Sequence, residues 1–150
     1  MNGLKTSLKV GMQILEALAR ANVRPVPVRE LAENLGQSEK YLEQLLLPLR
    51  RARLVTSTRG PHGGYRLARP PAYITLLEIV QLMQGPLTFC DCPSRQCRDC
   101  VSPALWQSLE GCLEASIASI TLADAIANRP PVMPRKVVLG PTWVQDGLGI

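Results

Sequence analysis

The chain lacks a long apolar run, although 46% of its 150 residues are hydrophobic. A membrane-spanning helix needs about 18 or more consecutive apolar residues, and no window of this sequence provides them. The first twenty residues interrupt their apolar pattern with Lys5, Lys9, Glu16 and Arg20, which is unlike a secretion signal. We therefore predict a globular, cytoplasmic protein with no membrane partner, formed by one domain and an appendage.

Groups that commonly carry catalysis are also scarce. Histidine occurs once, at His62, and we find no Ser/His/Asp set, no paired acidic residues placed for a cleft and no phosphate-binding glycine loop. Cys97-x-x-Cys100 has the spacing of a thiol redox motif, but that motif normally needs a preceding strand and a helix N-terminus, which the pattern here does not provide. We predict that the protein is not an enzyme, with a thiol redox enzyme as an alternative.

Cysteine, by contrast, is concentrated, because four of the five cysteines lie in the segment CDCPSRQCRDC (90–100). The proline and the polar residues between them argue against a helix or strand, and hence against burial in a core. A loop that presents several thiolates to one point is how proteins hold Zn²⁺ and iron–sulfur clusters. The candidate ligands are Cys90, Cys92, Cys97 and Cys100. An iron–sulfur cluster, [2Fe–2S] or [4Fe–4S], and a structural Zn²⁺ both stay open; Cys112 is interpreted as a core residue.

Positive charge is concentrated in the first half of the chain. Residues 1–70 carry 12 Lys and Arg against 5 Asp and Glu, whereas residues 71–150 carry 5 against 7. A basic half beside a slightly acidic half is typical of a protein that meets a polyanion.

The basic half contains a predicted helix-turn-helix. Residues 28–35 have one apolar face, Gly36 suits the C-terminal cap, and Ser38 suits the N-cap of the next helix. Two helices joined by such a short glycine-containing turn are typical of this motif. Its second helix would bury a leucine stripe and present hydrogen-bonding side chains to base edges. These candidate DNA-binding residues are Ser38, Lys40, Tyr41, Glu43 and Gln44.

A predicted β-hairpin follows, with strands over 54–58 and 65–68 and a glycine-rich turn between them. A hairpin directly after a recognition helix is a wing, and Arg59 at its base can reach a minor groove. His62, in the same turn, is interpreted as a phosphate or groove contact rather than a metal ligand, because it is far in sequence from the thiols.

The remaining periodic segments predict four more helices. The first covers 4–21, with its apolar stripe at Leu4, Leu8, Met12, Leu15 and Ala19. A capping box at Thr75 opens a helix that ends at Gln84, and a similar pattern at Thr121 opens a short terminal helix. A long helix beginning at Ser102-Pro103 has an apolar stripe with little of its own domain to pack against, which predicts a second subunit.

These elements give a mainly α fold, a winged helix-turn-helix with a small β-hairpin and a long C-terminal dimerisation helix. We assign residues 1–85 to the DNA-binding domain, 86–101 to the cysteine-rich cluster-binding loop and 102–128 to the dimerisation and terminal helices. Residues 129–150 are rich in proline and glycine and are predicted to form a flexible tail.

Three stretches resemble the Rrf-type winged-helix transcriptional regulators, whose branches include IscR, NsrR and CymR. They are YLEQLLLPLRRARLVTSTRGPHGGYRLARPPAYITLLEIVQLMQG (41–85), the cysteine loop, and ALWQSL with SITLADAI (104–126). The resemblance covers about residues 4–127. It implies a homodimer with crossing long helices, bound to a near-palindromic double-stranded DNA operator.

The resemblance also implies particular residue roles. Lys40, Tyr41 and Glu43 correspond to recognition-helix contacts, and Arg59 with Gly60 and the loop through His62 and Gly63 corresponds to the minor-groove wing. Cys92, Cys97 and Cys100 match the three cluster cysteines of the family.

Two departures from the family pattern leave the fourth cluster ligand open. Pro103 stands where the IscR branch has a histidine, and Lys9 stands near where the NsrR branch borrows a carboxylate. Cys90, a carboxylate, a water or a small thiol are the alternatives. The expected function is a repressor-type regulator that senses iron, redox state or nitric oxide. The alternatives are a winged-helix factor with a structural four-cysteine zinc site, and a scaffold that has lost DNA binding.

Overall fold

The computed structural model describes residues 5–88 and 103–128. The helices are α1 (Thr6–Arg20), α2 (Val28–Leu35), α3 (Glu39–Arg51), α4 (Leu76–Gln84), α5 (Pro103–Ala118) and α6 (Leu122–Ile126). The strands are β1 (Val55–Thr58) and β2 (Gly64–Leu67), and a 3-10 turn covers Pro71–Tyr73. The order of helices and strands matches the prediction, and each strand begins and ends within one residue of its expected position. The 3-10 turn was not predicted.

Helix α1 lies at the centre of the hydrophobic core. It packs against α2, α3, α4 and β2, and Ile14, Leu15 and Leu18 are fully buried. Of the predicted stripe, Leu8 and Leu15 are buried, Met12 is half-buried and packs against the core, and Leu4 lies outside the described residues. The prediction was wrong in part, because Ala19 is only half-buried while Val10 and Gly11 are buried. Because other elements pack on several sides of α1, it buries more of its circumference than the single face that residues three and four apart would form.

The β-hairpin is antiparallel, with Val55 opposite Leu67 and Thr58 opposite Gly64. It is also paired with the segment before α2. The N–H of Val26 donates to the carbonyl oxygen of Tyr65, and the N–H of Tyr65 donates to that of Val26, each at 2.8 Å. The hairpin is therefore held to the helix-turn-helix by backbone hydrogen bonds.

Helix α4 is fixed at its start by a capping box. The Thr75 hydroxyl accepts from the N–H of Glu78, and the Glu78 carboxylate accepts from the N–H of Thr75. The start of α4 lies beside the junction between α5 and α6. There the N–H of Leu76 donates to the Ile120 carbonyl, and the N–H of Leu122 donates to the Ile74 carbonyl, both at 2.8 Å. The start of α4 and the end of α5 are thereby tied together.

The other end of α4 is held by α1. Lys5 Nζ donates to the Gln84 carbonyl at 3.1 Å, and Ser7 Oγ donates to the Met83 carbonyl at 3.5 Å. A Cβ added to Gly11 would lie 2.8 Å from Met83 Cε, so the glycine permits this close packing of α1 on α4. Helix α4 is therefore tied at its start to the α5–α6 junction and at its end to α1.

Helix α5 is less covered than the other α-helices of the described residues, each of which has at least one buried residue. None of its residues is buried, and Leu105, Trp106 and Leu109 are 48%, 38% and 40% exposed. Cys112, predicted to be a core residue, is only half-buried. The predicted apolar stripe therefore lies on a helix. Leu113 and Ile117 in its second half are half-buried, whereas Trp106 and Leu109 in its first half are exposed.

Candidate nucleic-acid interface

Helices α2 and α3 form a helix-turn-helix. Gly36 ends α2 in the left-handed conformation, with φ of 61°, and its N–H donates to the Ala32 carbonyl. A Cβ at Gly36 would meet no atom within 4 Å, so the backbone angle and not crowding favours glycine. Ser38 then caps α3, because its side-chain oxygen accepts from the N–H of Tyr41 at 3.3 Å. Both predicted caps are confirmed.

Helix α3 divides into a buried and an exposed face. Its buried residues are the predicted stripe Leu42, Leu45, Leu46 and Leu49. Among the five candidate contact residues, Ser38, Lys40, Glu43 and Gln44 are exposed. Tyr41 is half-buried and packs against the core, so part of its ring supports the fold. The start of α3 therefore brings together four exposed polar side chains, of which Ser38 also caps the helix, and one aromatic ring fixed by packing.

The turn of the wing exposes Arg59, Gly60 and His62, whereas Gly63 is half-buried. The N–H of Gly63 donates to the Gly60 carbonyl at 2.9 Å. Gly60 has φ of 119°, which side chains rarely permit, and a Cβ on Gly63 would lie 2.3 Å from the Thr58 carbonyl oxygen. The two glycines are thus explained by the turn itself, while Arg59 and His62 remain available for contacts.

The carboxylates of several ion pairs belong to elements other than α3 and the wing. Ion pairs join Arg20 to Glu16, Arg24 to Glu30, Arg29 to Glu33 and Arg69 to Glu78. A hydrogen bond from Arg24 lowers the pKa of Glu30, and the same bond raises the pKa of Arg24.

The basic residues without a carboxylate partner in residues 5–88 and 103–128 include Lys40, Arg50, Arg51, Arg53, Arg59 and Arg66. These six belong to α3, the turn after it, or the wing; Lys5 and Lys9, at the start of α1, lack such a partner as well. Lys40, at the start of α3, and Arg59, in the wing turn, are the two that lie where positive charge suits DNA phosphates.

Sequence reasoning missed Arg66 as a member of this surface. Arg66 is exposed in the middle of β2, between the half-buried Tyr65 and Leu67. Its cross-strand partner is Thr56. The sequence alternates apolar, charged and apolar residues at 65–67. Because successive strand residues point to opposite faces, this alternation could have predicted that Arg66 is exposed. Sequence reasoning also missed the contact from Arg50 Nη1 to Ser57 Oγ, at 3.5 Å, which joins the end of α3 to the wing.

Comparison with known proteins identifies the family. The model of a family described as Rrf2, iron-dependent transcriptional regulator, matches residues 4–128. This chain belongs to the Rrf2 family. The ORF2 protein of Azotobacter vinelandii, which bears the name of an HTH-type transcriptional regulator, is 36% identical to it over 119 residues, covering 77% of this chain and 73% of that protein.

Solved structures agree with this Rrf2 assignment. CymR of B. subtilis, described as a global cysteine regulator, superposes with a TM-score of 0.72 at 32% identity, over 87% of this chain and 100% of that chain. IscR of T. potens superposes with a TM-score of 0.66 at 37% identity, over 85% of this chain and 90% of that chain. The winged-helix fold is confirmed, and the protein is a DNA-binding transcriptional regulator of the Rrf2 type. Its relatives are regulators and not enzymes, as predicted.

The predicted metal ligands of this Rrf2 protein are not among the described residues. Cys90, Cys92, Cys97 and Cys100 all lie between residue 88 and Pro103, and residues 129–150 are likewise outside the description. Within 5–88 and 103–128, no group of three or more His, Cys, Asp or Glu side chains could hold a metal ion. In the same ranges, no helix has the length and apolar character that a membrane span requires.

Proposed function

We propose that the protein is a homodimer that binds a near-palindromic operator, and that an iron–sulfur cluster on the cysteine loop controls its affinity for that operator. The observation that carries this proposal is where the cysteines occur in the chain. They connect the end of α4, whose last carbonyls are held by Lys5 and Ser7, to α5, a helix with no buried residue and with Leu105 and Leu109 exposed.

The first step is DNA recognition. The exposed polar side chains at the start of α3 suit base edges in a major groove, and the wing suits the adjacent minor groove. The proposed contacts on α3 are Ser38, Lys40, Tyr41, Glu43 and Gln44. Those on the wing are Arg59, Gly60, His62 and Gly63, with the two glycines contributing backbone rather than side-chain contacts.

The second step is dimerisation. Leu105 and Leu109 are four residues apart on α5 and so lie on one face of the helix, and both are about half exposed. Covering this face with the same helix of a second subunit would remove the apolar surface from water. The two recognition helices must then lie one DNA turn apart, about 34 Å.

The third step is cluster binding. Four thiols within eleven residues are a donor set that fits an iron–sulfur cluster, and the family description names iron dependence. We assign Cys92, Cys97 and Cys100 as ligands, with Cys90 as the proposed fourth. When bound, the cluster would make the cysteine loop sensitive to iron and to redox state. The residues of this chain would then pass a change in the loop on to α1 and α5. Four thiolates would also suit a structural Zn²⁺, which the first experiment below separates from the cluster.

The fourth step is the connection to DNA. Lys5 and Ser7 hold the last carbonyls of α4, directly before the cysteine segment, and α1 packs on both helices of the helix-turn-helix. A change in the loop would thus act on α1 at one end and on α5 at the other. A coupling free energy of about 1–3 kcal/mol between the loop and the operator is sufficient for regulation.

The decisive experiment is purification without oxygen, followed by a visible spectrum and assays for iron, acid-labile sulfide and zinc. We expect coloured protein that contains iron and sulfide. Colourless protein with one zinc per chain would replace the cluster with the structural zinc site. Cys92→Ala, Cys97→Ala and Cys100→Ala should each abolish the cluster, whereas Cys112→Ala, a cysteine outside the loop, is the matched control. Unchanged cluster content in Cys90→Ala would remove Cys90 as the fourth ligand.

Operator binding then tests the sensing. We expect the cluster-containing and cluster-free proteins to differ roughly 5- to 150-fold in operator affinity at one salt concentration, the range that a coupling of this size produces. Equal affinities would leave a DNA-binding dimer that does not sense its cluster. Affinity should also fall steeply with salt, because several phosphates are neutralised.

A further inference from the structure

An arginine-lined depression opens at the C-terminal end of α3. It has a volume of about 660 Å³, and its wall includes Arg50, Arg53 and Arg69 together with the small or apolar residues Ala52, Val55 and Ala68. No acidic residue is part of this wall, all of which lies in the described part of the chain. Three guanidinium groups around an apolar floor form a site that favours an anion.

Arg53 occupies a backbone position that normally selects glycine. Helix α3 ends in a Schellman motif, because the N–H of Leu54 donates to the Leu49 carbonyl and that of Arg53 to the Arg50 carbonyl, each at 3.0 Å. Arg53 is the left-handed residue of this motif, with φ of 57°. The two other non-glycine residues of the described chain with positive φ are Asn22 and Asn128, and asparagine tolerates this conformation better than arginine does.

The left-handed residue at the end of α3 is thus an arginine, and its charged side chain lines the depression. Arg50 and Arg53 have no carboxylate partner among the described residues. Arg69 does, because its Nη2 donates to Glu78 Oε1 at 2.6 Å and its Nη1 to the Tyr73 carbonyl at 2.9 Å. Arg69 is therefore held in place by these bonds. Arg50 donates one N–H to Ser57 Oγ at 3.5 Å, and its other donors, like those of Arg53, stay available to a ligand. The C-terminus of α3 carries a partial negative charge of about half an elementary charge. The positive charges of Arg50 and Arg53 together exceed it, so the depression stays positive overall.

The depression is remote from the residues that read DNA. The rise of an α-helix places Arg53 about 20 Å along the axis from Ser38. The wing turn is likewise at the opposite end of β1 and β2 from Val55 and Ala68. A DNA duplex bound by the first turns of α3 and by the wing turn therefore contacts the other end of these elements.

We propose that this depression is a binding site for a small solute that carries phosphoryl groups, with Arg50 and Arg53 as its ligands and Arg69 as a positioned third charge. The volume lies in the range of sites for small molecules, about 300–1,000 Å³. Guanidinium forks bind phosphate oxygens in a bidentate manner, which suits a compact dianion better than a single carboxylate. The proposal does not depend on the cluster.

The test is a calorimetric titration of the full-length protein with pyrophosphate, and in parallel with inorganic phosphate, at an ionic strength held constant with sodium chloride. We expect saturable binding of one pyrophosphate per chain. Arg53→Gly should weaken this binding at least tenfold, and Arg50→Ala should do so to a similar degree. Arg51→Ala, which removes a neighbouring charge that does not line the depression, should change it less than twofold.

Thermal unfolding guards against a folding artefact. Glycine suits the left-handed position, so Arg53→Gly should raise Tm by about 4 °C or more while it removes binding. Absence of saturable binding to the unaltered protein, full binding by Arg53→Gly, or an equal loss in Arg51→Ala would each overturn the site.

Operator titrations over a range of salt concentrations distinguish a solute phosphate from a DNA phosphate. If Arg53 binds a solute, Arg53→Gly leaves the slope of log affinity against log salt unchanged. A slope smaller by about one, together with no pyrophosphate binding, would identify Arg53 as a DNA phosphate contact and contradict the proposal.

Discussion

The DNA-binding part of the chain, residues 5–88, and helix α5 use their apolar residues in opposite ways. In the first, leucines from α1, α2 and α3 are covered completely, with Leu15, Leu31 and Leu49 at 0% exposure. In α5, no residue is buried although the helix is largely apolar. The first region has a complete core within one chain, whereas the second has an apolar face that one chain leaves uncovered.

This difference indicates which properties belong to a single chain and which need a partner. The orientation of α3 relative to the wing is fixed by the core and by backbone pairing. The placement of one recognition helix relative to a second is not fixed by anything in the described chain, except through α5. Substitutions in residues 5–88 should therefore change the stability of the monomer, whereas substitutions on the exposed face of α5 should change the proposed dimer.

The largest effect is expected from the core of α3. Leu46 is 1% exposed, whereas its neighbour Leu47 is 41% exposed. Leu46→Ala should lower the free energy of unfolding by about 3 kcal/mol, through lost burial and a residual cavity. Leu47→Ala, the matched control, should change it by less than about 0.5 kcal/mol. Urea unfolding measures both, and similar losses for the two variants would contradict the division of α3 into a buried and an exposed face.

The next effect concerns the face of α5. Leu109→Arg places a charge where we propose that two subunits meet, and it should raise the dimer dissociation constant roughly 100-fold, equivalent to about 2.7 kcal/mol. Gln107, also exposed, lies on the opposite side of the helix, so Gln107→Arg should leave the dimer intact. Sedimentation equilibrium provides the measurement. If both variants remain dimeric at low concentration, the subunit contact lies elsewhere.

Two glycines offer a direct contrast between the regions. A Cβ on Gly64 would lie 2.5 Å from the Val26 carbonyl carbon, whereas a Cβ on Gly111 would meet nothing within 4 Å. Gly64→Ala should therefore destabilise the protein by about 2 kcal/mol, because the clash is with backbone. Gly111→Ala should stabilise it by up to about 1 kcal/mol, since alanine favours an exposed helix interior.

Thermal unfolding of the two glycine variants shows whether each substitution raises or lowers the stability of the protein. A loss of stability in Gly111→Ala would mean that the solvent-facing side of α5 is covered in the assembled protein. Stability unchanged in Gly64→Ala would show that the wing can move away from Val26.

The smallest effect depends on pH. Partial burial of Glu78 opposes its ionisation, but hydrogen bonds from Arg69 and from the N–H of Thr75 outweigh it, so the pKa of Glu78 is lowered. A carboxyl group with a lowered pKa stabilises the fold at neutral pH, and this contribution is lost as the pH falls through its folded value. Both side chains are more than one third exposed, so solvent screening limits the contribution to about 0.5 kcal/mol.

Glu78→Gln isolates this charge, because glutamine can still complete the capping box. The variant should be less stable than the unaltered protein at pH 7, and this difference should disappear as the pH falls through the lowered pKa of Glu78, as urea unfolding at several pH values would show. Glu33→Gln removes a carboxylate from a more exposed ion pair and should have no measurable effect. A stability difference for Glu78→Gln that persists at low pH would mean that packing, not charge, explains it.

Local signals made much of the fold predictable. The bounds of α2 and the capping boxes at Thr75 and Thr121 were read correctly, because a cap depends on residues three or four positions apart. The stripe of α1 was partly wrong, since its burial depends on partners distant in sequence such as Met83. The Val26–Tyr65 pairing and the strain at Arg53 had no local signal, because the first joins distant segments and the second contradicts the usual residue preference.

The candidate site shows the same limit. Exposure of Ser38, Lys40, Glu43 and Gln44 followed from helical periodicity, whereas the partial burial of Tyr41 did not, because it depends on packing against the core. The roles of these side chains toward DNA, and those of the four loop cysteines toward a cluster, stay predictions that the experiments above test.

The two hydrogen bonds between Val26 and Tyr65 have a consequence for selectivity. They tie the wing to the segment before α2, so we expect the wing and the helix-turn-helix to move as one unit when the cysteine loop changes. In the proposed dimer, each half of an operator would then be read in the same way in every state of the protein. Regulation would act on the separation and tilt of the two halves, and promoters would differ in their response according to the number of base pairs between half-sites.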